Sequence, residues 1–282
     1  MPSCMINGRE MHYLDQGEGF PLLMGHSYLW DSRMWAPQIE LLSQHFRCIV
    51  PDLWSHGQSQ SIAEGDLSIA SLAEDYHLLM QHLGLARYSV LGMAVGGQWG
   101  AQLALKYPDE VASLVLLASS LNAEQEDIAD DYLALLNVVK QMQEIPPAVI
   151  DAVAKIFFSE DAAERHPALV ETFRFDLMFL TPEQVAGIVA LGEHIFRRPS
   201  LLEDVGNIKC PTLILAGDKD YARPVSESEA IYDQISGSQF AIIENAGHMI
   251  TLEQPNQINQ ILANFLSSID GVRLETNELA FV

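Results

Sequence analysis

Six short apolar runs do most to constrain the fold of this 282-residue chain: 21–24 (PLLM), 47–50 (RCIV), 88–91 (YSVL), 111–117 (VASLVLL), 212–216 (TLILA) and 239–243 (QFAII). Each is largely apolar at successive positions, so neither face of the strand it would form can be left in water. That pattern suits central strands of a parallel sheet covered on both sides. Helix-like stretches lie between them. Residues 68–83 place Leu72, Tyr76, Leu79 and Leu83 at three- and four-residue spacing, which is one apolar face of a helix. Residues 98–107 and 257–269 read the same way. Alternating strand and helix predict an α/β fold built on a mostly parallel, doubly wound sheet. With 49% hydrophobic residues, the chain has the core to cover it.

One region breaks the alternation. Residues 121–205 hold no convincing strand, only helix-like segments divided by Pro146-Pro147, Pro167, Pro182 and Pro199. The expected division is a sheet-bearing core of residues 1–120 and 206–282, with 121–205 inserted as a helical cap over the open end of the sheet. An independent helical lobe is the alternative.

Charge and cysteine usage exclude several classes of function. Lys plus Arg number 15 against 38 Asp plus Glu, a formal net charge of −23. A surface that acidic repels nucleic-acid phosphates and anionic membranes. Every apolar segment is broken well short of the roughly 18 residues a membrane span needs. The N-terminus is polar where a signal peptide would be apolar. Cys4, Cys48 and Cys210 are scattered, with no CxxC pair and no histidine at zinc-ligand spacing, which fits a reducing compartment better than a disulfide framework. The expectations are a cytoplasmic protein with no cofactor and no metal.

The stretch that speaks to chemistry is VLGMAVGGQWG at 90–100. An apolar run enters a turn flanked by Gly92 and Gly96 and leaves it as a helix. This is the form of a nucleophile elbow, G-x-S-x-G, with Ala94 where serine would stand. Alone, such a stretch reads more simply as a plain turn between a strand and a helix. It is accompanied, in chain order, by Met24-Gly25-His26-Ser27-Tyr28 after the first core run, PDLWSHGQS at 51–59, Gly217-Asp218-Lys219-Asp220 after a later run, and Gly247-His248 after the last.

With those five motifs in that order, the chain resembles the α/β-hydrolase superfamily, in its capped esterase, lactonase and C–C hydrolase branch, over residues 19–268. The resemblance implies Ala94 at the nucleophile position, His248 as general base and Asp220 as the acid that orients it. It also implies an oxyanion hole made by the backbone N–H groups of Tyr28 and Val95. Asp218 would then be a turn residue, and His26 and His56 would pack and bond to backbone. Ser27 and Ser55 replace glycines usual in the family's loops.

Alanine cannot attack a carbonyl, so the chain as written lacks the nucleophile and is expected to be inactive. The persistence of Asp220, His248 and both flanking glycines favours a serine changed to alanine; the alternative is a natural non-catalytic binding or signalling protein. The expected substrate is a neutral carboxylic ester or lactone, because −23 disfavours anions unless a local arginine compensates, and Arg197-Arg198 is the only adjacent pair. Leu133, Leu136, Val139, Ile156, Phe157, Phe158, Phe173, Phe175 and Phe179 are candidates for an acyl pocket or for the insertion's own core. Trp30, Trp54 and Met93 are candidates for substrate contact or, equally, for simple packing. The last helix should end near Ser268, leaving 269–282 as a tail that docks on the body or, as a homodimer, on a second subunit, with a frayed terminus as the alternative.

Overall fold

The computed structural model describes residues 1–269. The tail expected at 269–282 therefore lies outside the described residues beyond Ile269. In chain order the strands are β1 (Ser3–Ile6), β2 (Arg9–Gln16), β3 (Phe20–Gly25), β4 (Phe46–Pro51), β5 (Tyr88–Met93), β6 (Val111–Leu117), β7 (Thr212–Gly217) and β8 (Gln239–Ile243). The helices are α1 (Ala36–Leu42), α2 (Ile69–His82), α3 (Val95–Lys106), α4 (Glu126–Met142), α5 (Pro147–Phe157), α6 (Ala162–Arg165), α7 (Pro167–Met178), α8 (Pro182–Phe196), α9 (Val225–Gln234), α10 (Ile250–Glu253) and α11 (Pro255–Ser267).

All six apolar runs lie in strands, and the strands form one sheet in the order β1-β2-β4-β3-β5-β6-β7-β8. From β4 to β8 every pairing is parallel. Burial on both faces follows the two-residue period of a strand. Leu22, Val50, Leu91, Val115 and Leu215 join the core on one face. Their neighbours Leu23, Ile49, Val90, Leu114 and Ile214 join the core on the other. The register sets Gly25 directly beside Gly92, which brings two of the motif-bearing loops to the same end of the sheet.

The two antiparallel strands at one edge are not anticipated above. β1 pairs with β2, which pairs with β4. Their signal is Asn7-Gly8, whose φ values of 50° and 78° are those of a two-residue hairpin turn. The charged residues Arg9, Glu10 and Asp15 obscure the alternation that buries Met11 and Tyr13.

Between β6 and β7 the chain is helical throughout, with α4 packed on α8 and α5 on α7. Three of the prolines that divide this region are helix starts: Pro147, Pro167 and Pro182 are the first residues of α5, α7 and α8, where the missing N–H costs nothing. Among the described residues no single helix is long and apolar enough to cross a membrane.

The predicted helix at 68–83 is α2. It is capped by Ser68, whose Oγ accepts from the Ser71 N–H at 3.2 Å. Ser68→Ala is expected to cost about 1 kcal/mol, read as a lower urea midpoint at unchanged m-value. An unchanged midpoint would show that the cap contributes nothing.

Candidate active site

The turn between β5 and α3 places Ala94 at φ 51° and ψ −113°, a conformation that costs a residue with a Cβ free energy. Its neighbours hold it there. The Ala94 N–H donates to the Leu117 carbonyl at 2.9 Å, and the Ala94 carbonyl accepts from the N–H groups of Gly97 and Gln98. The flanking glycines are required by close approach. A Cβ on Gly92 would lie 2.3 Å from the Gly96 carbonyl, and a Cβ on Gly96 would lie 2.3 Å from the Gly25 oxygen. These contacts are backbone on backbone, so no side chain can rotate to relieve them.

Val95 is the first residue of α3, so its N–H has no partner within the helix and carries the positive end of the helix dipole. Among the described residues neither the Val95 N–H nor the Tyr28 N–H donates to a protein acceptor. Tyr28 is anchored from the insertion, its hydroxyl donating to the Ile188 carbonyl of α8 at 2.7 Å.

Asp220 and His248 stand on the loops that follow β7 and β8, and the sheet brings them together. Their side chains are buried, with His248 Nδ1 2.9 Å from Asp220 Oδ2. The other carboxylate oxygen, Oδ1, accepts from the Arg223 N–H at 2.9 Å, so Asp220 is held by both oxygens. His248 Nε2 has no hydrogen-bond partner among the described residues. Asp218 does the work of a turn residue: its Oδ1 accepts from the Ala246 N–H at 3.1 Å. Glu253, fully buried, accepts from the Gly247 N–H and the Ser159 hydroxyl. These contacts tie the loop that carries His248 to the end of α5, whose Phe157 ring meets the imidazole edge-on at 5.2 Å.

His26 and His56 belong to the scaffold beneath the site. Each offers Nδ1 to a backbone carbonyl, of Ser27 and Trp54 respectively. Each accepts a backbone N–H at Nε2, from Leu53 and Leu29. Burial pulls both imidazoles down to a pKa of about 4, so both are neutral near pH 7. The pair locks the Tyr28 loop to residues 52–56.

Ala94, Val95, Tyr28 and His248 line one cavity of about 110 Å³, roofed by α4, α5 and α8. Of the proposed acyl-pocket residues, Leu136, Val139, Ile156 and Phe157 line it. Phe158 and Phe173 are core packing, and Phe175 and Phe179 are exposed, their rings tilted against each other. The candidates for substrate contact lie elsewhere: Trp30 stacks on Phe173, Trp54 donates to Asp75, and the Met93 sulfur accepts from Thr251. Arg198 is buried against Glu124 and, like Arg197, does not line this cavity. The arginine that does is Arg223. Sequence reasoning passed over it because nothing in the spacing joins it to Glu124, its partner from the far side of the insertion.

A family model described as the alpha/beta hydrolase fold matches residues 20–255. A thermophilic esterase from Thermogutta terrifontis is 30% identical, with a TM-score of 0.86 over 94% of this chain and 98% of its own. The enol-lactonase from Burkholderia xenovorans LB400 is 26% identical, with a TM-score of 0.84 over 94% of this chain and 100% of its own. In Caulobacter sp. (strain K31) the RutD protein, whose name provisionally makes it a carbamate hydrolase, is 29% identical over 83% of this chain and 85% of its own. With the family model spanning most of its length, the chain belongs to the alpha/beta hydrolase fold family.

Proposed function

We propose that this chain carries the machinery of a serine hydrolase for carboxylic esters or lactones, with Ala94 in place of the nucleophilic serine. The observation that carries the reading is the buried Asp220–His248 pair, whose imidazole lines the same cavity as the strained turn at Ala94. In the serine form, the hydroxyl at position 94 attacks the ester carbonyl and His248 Nε2 takes its proton. His248 then returns that proton to the leaving alcohol. Asp220 holds the proton-bearing Nδ1 edge and stabilises the imidazolium as it forms. The Val95 and Tyr28 N–H groups receive the developing oxyanion. Water attacks the acyl-enzyme by the same route in reverse. The helices of 121–205 act as a cap that shapes the acyl pocket and keeps bulk water from it.

Ala94 itself favours a second reading, a natural non-catalytic binding protein on this scaffold. A serine codon at position 94 in the source gene would remove its support. The test of the first reading is turnover: Ala94→Ser should hydrolyse aryl esters of short and medium acyl chains, and failure across the whole series would reject it.

A further inference from the structure

The wall of the cavity is apolar except at a few points, and among the described residues Arg223 is its one arginine or lysine. Arg223 also stands in a cluster of charges withdrawn from solvent. Glu124, at the entry to the insertion, pairs with Arg198 at its exit and with Arg223 in the core. The donors of Arg223 can be assigned. Nη1 bonds to Glu124 Oε2 at 3.0 Å and lies 3.5 Å from Glu227; Nη2 bonds to Glu124 Oε1. An arginine has five N–H donors, and this end-on pairing uses the two Nη groups. Nε–H and the outer Nη2–H form a second fork, and among the described residues no acceptor meets it. Arg198, almost fully buried, likewise has Nε and Nη2 without acceptors.

Two guanidinium groups, Arg198 and Arg223, share Glu124, with the partly exposed Glu227 at the rim and the buried Asp220 on the Arg223 backbone N–H. Donors left without an acceptor beside an apolar cavity are costly unless water or an anion answers them. The net charge of −23 argues for a neutral substrate only in the absence of a local arginine, and Arg223 is such an arginine. Its position relative to the chemistry is fixed, because its own N–H bonds to Asp220 Oδ1.

We propose that Arg223 forms a carboxylate subsite, so that the ester or lactone taken by this cavity carries a carboxylate on its acyl side. This rests on the ester-hydrolase reading and refines it. The substrate carboxylate takes the free Nε/Nη2 fork, in the bidentate geometry that guanidinium offers, while the ester lies toward Ala94.

The test uses the Ala94 chain, which can hold an ester without turning it over. Calorimetric titration would compare monomethyl esters of short to medium straight-chain dicarboxylic acids with the corresponding dimethyl esters. A monoester is expected to bind about ten-fold more tightly than its dimethyl partner, or better. Arg223→Met should bring that ratio to about one. Glu124→Gln, which removes the competing carboxylate, should raise it; a cluster that is only structural would leave it unchanged. Equal binding of the two esters, a preference that survives Arg223→Met, or no gain in Glu124→Gln would each overturn the subsite. If Arg223→Met does not fold, Glu124→Gln decides alone. Turnover separates the two ideas: Ala94→Ser hydrolysing dimethyl and monomethyl esters equally well sinks the subsite and leaves the hydrolase. Binding preference in a chain whose serine form hydrolyses neither sinks the hydrolase and leaves the subsite.

Discussion

Ala94→Ser is expected to hydrolyse a suitable ester about 10⁶-fold faster than the Ala94 chain, and adding His248→Ala should remove nearly all of that gain. The magnitude follows from how triads fail. Losing the nucleophile or the base alone costs about as much as losing the whole set, because neither works without the other. What remains without them is the rate support of the oxyanion donors and of substrate binding. The donors proposed here, the N–H groups of Val95 and Tyr28, are backbone and do not depend on residue 94. Asp220→Asn in the Ala94→Ser background should cost less than loss of the base, because the imidazole remains but its tautomer is no longer fixed. Initial rates on p-nitrophenyl esters measure all three. If Ala94→Ser and Ala94→Ser/His248→Ala turned over at the same rate, His248 would have no part in the chemistry.

The second large effect is on stability in acid. His26 and His56 have pKa values of about 4 in the folded chain, against about 6.5 in an unfolded one. Between those values the unfolded chain binds more protons, so stability must fall as pH falls. The stabilisation is fully present above pH 6.5 and is lost as pH drops through 4, at up to about 3 kcal/mol for each imidazole. Protonation has a local consequence too: Nε2 of each ring accepts a backbone N–H, and a protonated Nε2 cannot. Asp52 works in the opposite sense, since burial pushes its carboxyl up, and it offsets part of the loss. Urea unfolding at a series of pH values, with the two imidazole resonances followed by NMR, tests this. Imidazoles titrating near 6.5 in the folded chain would contradict it.

What the sequence makes legible depends on whether a signal is local. The both-faced apolar runs announce the parallel sheet because burial on two sides leaves no other composition open to them. Gly92 and Gly96 announce the turn because two backbones touch there. The edge hairpin is signalled only faintly, by Asn7-Gly8, since only two side chains of β2, Met11 and Tyr13, mark its buried face. Trp30 and Trp54 looked like pocket residues because aromatic side chains in loops carry no mark of direction. Trp54 turns instead to a buried carboxylate, Asp75. The Glu124–Arg198–Arg223 cluster was beyond reach for a different reason. Its members come from the two ends of the insertion and from the loop after β7, and only the closed fold sets them side by side.

The most direct measurement is the intact mass of the Ala94→Ser chain after exposure to a fluorophosphonate probe, beside the Ala94 chain treated in the same way. An activated serine at this turn attacks phosphorus and keeps the phosphonyl group. The expected result is one adduct on Ala94→Ser, none on the Ala94 chain, and greatly slowed labelling in Ala94→Ser/His248→Ala. An Ala94→Ser chain that stays folded yet takes up no probe would contradict the assignment of position 94, His248 and Asp220 as a catalytic set.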